Sequence, residues 1–179
     1  MKLPPCPPNT YFLTLRLADR RSDLLVREVG RLRHAVRATL AHQPFEIDAC
    51  CILPALAHMI WVLPDDETGP GGRIMTLKRR FAQLGAADIP PAQLARASIW
   101  HRDHWVCRLD SALDHARHRS LIHHAPVEAG LCARPQDWPH SSLHRDLRHA
   151  TAPVEGRLAE DPVAPQVLEA QEDLPLLQL

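Results

Sequence analysis

Apolar and polar positions divide this chain into short elements of two periods. Tyr11 to Ala18 is rich in Leu, Thr and aromatic residues and predicts a strand, which Asp19-Arg20-Arg21 breaks. Ser22 is placed to cap a helix with Asp23 in its first turn. Leu25, Val29, Leu32 and Val36 then recur at helical spacing to about Ala41, with Arg27, Arg31 and Arg37 on the other faces. Phe45, Ile47, Ala49 and Cys51 alternate with Glu46 and Asp48, a half-buried strand that ends at Pro54. Leu56 to Leu63 is apolar on both faces, as a central strand is. Pro64 to Gly72 reads as a loop. Ile74, Leu77, Phe81 and Leu84 mark a second helix, with Lys78, Arg79 and Arg80 beside its apolar stripe. Gly85 to Arg96 is Pro- and Ala-rich and is expected to be irregular. Ser98 to Val106, with two Trp, predicts the fourth strand. Asp110 or Ser111 caps a helix to about His124, which Pro126 is expected to end.

The order β-α-β-β-α-β-α predicts an α+β sandwich of ferredoxin-like topology, an antiparallel sheet with helices on one face. The divisions are an N-terminal tail (residues 1–10), one domain (11–147) and an acidic, Pro-rich C-terminal tail (148–179) with a weak helical pattern near Val163 to Leu174. The length suits a single core with short tails.

Charge adds one asymmetry. The formal net charge is zero, yet Thr151 to Leu179 holds six acidic residues and one basic. The rest has 20 basic and 15 acidic residues, a basic body fit for a nucleic acid. The five cysteines are odd in number and lack CxxC spacing, so free thiols are expected, with adjacent Cys50 and Cys51 on opposite faces of a strand. No apolar run is long enough to span a membrane, and Met1 to Thr10 lacks the apolar core of a signal peptide. A cytoplasmic protein with no membrane partner is expected.

Four strings carry a specific likeness. "PFEIDACCILPALAHMIWVLP" resembles a strand pair with the core L-P-D/E-H-x-H-x-I-W-x-L-P, and "SIWHRDHW" resembles I-W-Q-x-R-F-W. "IHHAPVEAGL" resembles Y-I-x-x-N-P-V-K-H-G-L, and "DWPHSSLHRDL" resembles D-W-P-x-S-S-x-H-R. Order and spacing also agree, from about Tyr11 to Leu147. On these strings the chain resembles the REP-associated tyrosine transposases, single-strand DNA enzymes of the HUH class. The resemblance implies a pair of His on one strand face holding a divalent metal, Mg or Mn, that polarises a DNA phosphate. It also implies a helix-borne Tyr as nucleophile, giving a phosphotyrosine intermediate, and an Asn one turn later completing the metal site.

The chain departs from that pattern at the chemistry. The first His position falls on Leu56 and only the second survives, as His58. The preceding acidic position is Ala55, the nucleophile position is Leu121, and the Asn position is Ala125. Leu offers neither a lone pair nor a nucleophilic atom, and one imidazole seldom holds a catalytic divalent ion unaided. The single Tyr is Tyr11, on the first strand. The expectation is a transposase-like DNA-binding protein for hairpin or single-stranded repeat DNA, with lost or impaired cleavage and a weak or absent metal. The alternatives are an active metal-dependent nuclease using substituted residues, and a non-functional gene remnant.

His58 is the residual metal candidate, or a strand His satisfied by a neighbouring backbone group. His115, His118, His123 and His124 fit a solvated helix face better than a replacement site. Arg20, Arg21, Arg73, Lys78, Arg79, Arg80 and Arg145 are the candidates for phosphate contact. Trp100 and Trp105 are expected to pack the core rather than stack bases. Trp138, His144 and Arg145 are expected mainly to hold the last segment on the domain.

Overall fold

The computed structural model describes residues 3–64, 69–84 and 99–151. The expected irregular segment from Gly85 and the weak helical pattern in the acidic tail lie outside them. The elements are β1 (Thr10–Arg16), α1 (Leu24–Arg27), α2 (Val29–Leu40), β2 (Glu46–Ile52), β3 (Leu56–Val62), α3 (Gly71–Leu84), β4 (Trp105–Leu109), α4 (Ala112–Glu128) and α5 (Leu143–Thr151). The strands form one antiparallel sheet in the order β2-β3-β1-β4, the α+β ferredoxin-like arrangement the element order predicts.

Two apolar layers sandwich the sheet. Leu13 and Leu15 of β1, Ile47, Cys50 and Ile52 of β2, and Ala57, Met59 and Trp61 of β3 face the first, filled by Leu25, Leu32, Val36, Ile74, Leu77 and Phe81 from α1–α3. Phe12, Ala49, Cys51, Ile60 and Leu109 face the second, closed by Ile122 and Ala125 of α4. Helices α1–α3 share one face, but α4 covers part of the other, which corrects the expectation of helices on one face only: Phe12, Ala49, Cys51 and Ile60 make the second face apolar too, and Ile122 and Ala125 close it. No helix among the described residues is long and apolar enough to cross a membrane.

Four local features differ from the pattern in sequence. The expected single helix from Ser22 is two, broken at Glu28 (φ −107°, ψ 31°). Its apolar period runs through the break unaltered, so spacing alone conceals it. In β2 the register shifts between Ile47 and Ala49. Asp48 is the extra residue of a bulge, which sends Ala49 and Cys51 to the face opposite Ile47. Cys50 and Cys51 do point to opposite layers, and all five cysteines are free.

The fourth strand is Trp105–Leu109, later than Ser98–Val106. Trp100 makes only an isolated bridge to Leu17. Its ring is buried, with the indole N–H donating to the Lys78 carbonyl at 3.0 Å. Finally, Pro126 lies buried inside α4 instead of ending it. Standing in the last turn, it deprives only the Ile122 carbonyl of a donor. Gly130 (φ +68°) stops the helix: its N–H reaches Val127 O and that of Leu131 reaches Pro126 O, both at 2.9 Å. At the other end Ser111 accepts the Asp114 N–H at 3.0 Å.

Candidate nucleic-acid interface

The register of β1 and β3 sets Leu56 opposite Arg16 and His58 opposite Thr14, all on the α4 side of the sheet. His58 Nδ1 is 2.8 Å from Thr14 Oγ1 and its ring stacks on Phe12 at 5.7 Å. A side-chain hydroxyl, not a backbone group, therefore satisfies it. Burial lowers its pKa below the ordinary imidazole value, so the ring is neutral at pH 7. Phe12 also meets His118 of α4 at 4.7 Å, and His118 Nδ1 lies 2.8 Å from the Asp114 carbonyl oxygen, to which it donates.

The other family positions hold no ligands. Leu56 packs against the second apolar layer and Ala125 lies within it, 6% exposed. Leu121 precedes buried Ile122 and is itself exposed. Among the described residues, no three His, Cys, Asp or Glu side chains converge on a point that suits a metal ion. Leu56, Ala125 and a His58 already bonded to Thr14 do not fit the divalent metal that the family chemistry needs. Tyr11 packs against the first layer. The chain's single Tyr thus stands on the face of the sheet opposite His58.

The basic candidates separate by what they touch. Arg20 and Arg21 are exposed in the connection after β1, and Arg79 is exposed on α3. Arg80 is half-buried on the same helix. Arg73 is buried, with Nε donating to Pro44 O at 3.1 Å. Lys78 is buried and donates to His101 O at 3.2 Å, and desolvation lowers its pKa. Arg145 donates to Ile47 O at 3.1 Å and to Asp48 O, so its guanidinium holds the β2 bulge. The two Trp also separate: Trp100 is core, whereas Trp105 is 67% exposed.

An ionic network that residue patterns do not announce joins three elements. Arg119 of α4 donates to both Asp48 carboxylate oxygens at 2.8 and 2.9 Å and to Asp146 of α5 at 2.7 Å. His115 lies 3.0 Å from Asp48, and His123 lies 3.3 Å from Asp146. His115 and His123 thus belong to this network, and the four His do not form a single solvated face.

The C-terminal string is a clasp. Ser142 exchanges bonds with Cys50, its N–H reaching Cys50 O at 2.8 Å and its Oγ accepting the Cys50 N–H at 3.0 Å. Ile52 N–H reaches His140 O at 2.8 Å, and Trp138 Nε1–H donates to Ile52 O at 2.9 Å. His144 Nε2 lies 2.8 Å from Trp138 O. These bonds cover edge strand β2, the packing role expected of Trp138, His144 and Arg145.

The sheet is ferredoxin-like, with one helix laid over the face that carries His58. Comparison with known proteins gives the family. The chain is 31% identical over 147 residues to the REP-associated tyrosine transposase of Escherichia coli (strain K12), spanning 82% of this chain and 84% of that protein. It is 33% identical over 143 residues to the Haemophilus influenzae counterpart, spanning 77% and 81%. The solved structure of a REP-associated tyrosine transposase bound to a REP hairpin matches with a TM-score of 0.72 at 27% identity, covering 94% of this chain and 98% of that one. No family model matches. The chain belongs to the REP-associated tyrosine transposase family.

Proposed function

We propose that this chain binds hairpin or single-stranded DNA and does not cleave it through a phosphotyrosine intermediate. One observation carries the reading: Leu121, Leu56 and Ala125 replace the nucleophile and two metal ligands, while the single Tyr sits on the far face of the sheet. The scaffold around that site is intact, and a relative of the same fold is bound to a REP hairpin. Among the described residues, exposed Arg20, Arg21 and Arg79 make none of the carbonyl contacts that occupy Arg73, Lys78 and Arg145, and they supply the phosphate contacts. No Mg or Mn ion takes part in binding.

The test is incubation with a labelled hairpin oligonucleotide and Mn²⁺ or Mg²⁺, followed by denaturing electrophoresis and, in parallel, anisotropy at about 0.15 M salt. Binding that weakens steeply with salt, with no covalent protein–DNA band, is expected. A covalent band overturns the reading. Absence of binding points to the remnant alternative.

A further inference from the structure

We propose that Cys6 and Cys107 form a redox-responsive pair, which a peroxide closes into a disulfide that staples the N-terminal segment to edge strand β4. The pairing does not depend on the DNA-binding reading.

The clasp covers β2, and β4 forms the opposite edge of the sheet. Cys107 is the register partner of Phe12, and both side chains face the second apolar layer. Cys6 packs against that same layer, and its thiol donates to the Leu109 carbonyl at 3.4 Å. The Cys107 thiol donates to the Arg108 carbonyl, also at 3.4 Å. Leu109 stands two residues beyond Cys107 on one face of the strand, a step of about 7 Å. Rotation of both thiols about χ1 and a small slide of exposed Leu3 to Pro5 close that step. Pro7 and Pro8 fix two φ angles, and the Thr10 hydroxyl donates to Pro7 O at 2.6 Å. The turn into β1 therefore holds Cys6 beside β4.

The other three thiols do not compete. Burial pushes Cys50 and Cys51 up to about 12, so both stay protonated and out of an oxidant's reach. Cys132 is near Cys51 of β2. Strands β2 and β4 are three inter-strand steps apart, about 14 Å, which is beyond the reach of a disulfide. Cys6 and Cys107 are only half-buried. One thiolate attacks an oxygen of hydrogen peroxide, giving a sulfenic acid and a water; the second thiolate displaces another water from that sulfur. Two S–H bonds and the O–O bond break, one S–S bond forms, and the two sulfurs give two electrons to the peroxide. The closed loop runs through β1, β2 and β3, and a cross-link over so long a loop restrains the unfolded chain. In a reducing compartment such a pair rests as a dithiol and closes under oxidant.

The test treats the full-length chain with hydrogen peroxide, denatures it, caps free thiols with a maleimide and measures the intact mass. Five adducts are expected before treatment, two fewer after it, and five again after dithiothreitol. Peptide mapping should find Cys6 joined to Cys107. The urea midpoint of oxidised wild type should rise by about 1–2 M and return on reduction. Cys6→Ser, folded by circular dichroism, should form no intramolecular disulfide and show no rise, whereas Cys132→Ser should behave as wild type. Five adducts after treatment, a link through Cys50, Cys51 or Cys132, or an intramolecular disulfide in Cys6→Ser overturns the pairing.

Discussion

Asp146 makes the α4–α5 network testable by acid. Its side chain is only 20% exposed, with Arg119 at 2.7 Å, His123 at 3.3 Å and Arg145 at 3.3 Å. Burial pushes the carboxyl pKa up. The nearby His123 imidazole, the Arg119 charge and hydrogen bond, and the Arg145 charge outweigh burial and hold it at about 2, against an ordinary 3.8. At 1.36 kcal/mol per pH unit, that difference is about 2 kcal/mol of folding free energy. The folded value lies below the unfolded one, so this stability is fully present above about pH 4. It is lost as the pH falls from about 4 through 2. Asp146→Asn cannot ionise and lacks this contribution at any pH. Urea denaturation at pH 6 should find wild type the more stable by about 2 kcal/mol beyond any pH-independent difference. At pH 2 that excess should have mostly closed. A gap between wild type and Asp146→Asn that is the same at both pH values refutes the reasoning.

Three further outcomes follow from the geometry. Ser142→Ala strands the buried Cys50 N–H, which bonds Ser142 Oγ at 3.0 Å; a loss of about 1–3 kcal/mol is expected in denaturant titration, and a loss below about 0.5 would show that the clasp is unimportant. Leu121→Tyr alone should form no covalent DNA adduct, because Leu56 and Ala125 supply no metal ligand. Adding Leu56→His and Ala125→Asn should permit a Mn²⁺-dependent adduct at the expense of stability in the apolar layer, and an adduct from Leu121→Tyr alone contradicts the metal argument. The double change Arg20→Ala/Arg21→Ala should flatten the dependence of log affinity on log salt by roughly 1.5; an unchanged slope removes both residues from the DNA surface.

The first three strands, the first two helical regions and the element order were legible because the buried positions follow periods of 2 and 3.6. What escaped involved events that leave the hydrophobic count unchanged. A bulge at Asp48 adds one residue without adding an apolar one, so the alternation of Phe45 to Cys51 reads as one face. The fourth strand was misplaced because only Leu109 of its five residues is buried, while Trp100 draws attention to an isolated bridge. Pro126 was read as a stop because the rule concerns helix interiors, and the last turn tolerates it. The positions Leu56, His58, Leu121 and Ala125 were assigned from motif order alone; the structure places Leu56 and Ala125 at the second apolar layer and leaves Leu121 exposed. The exposure of Trp105 was not legible, because nothing in the sequence says which of the two Trp is buried.

The two kinds of motif residue in this family scaffold have separable physical roles, and the chain shows why one set can go while the other stays. Ser142, Trp138, Arg145 and Asp146 fasten α5 to the edge of β2 and the bulge at Asp48; removing any of them leaves a buried donor, acceptor or charge without its partner. Leu56 and Ala125 lie where polar metal ligands would have to sit against Phe12, Ile60 and Ile122. A ligand there is a desolvated polar group unless a metal satisfies it. Leu or Ala there carries no such cost and favours folding. The same reasoning predicts, in urea denaturation, that Leu56→His or Ala125→Asn without a metal lowers stability, and that loss of the clasp bonds lowers it as well.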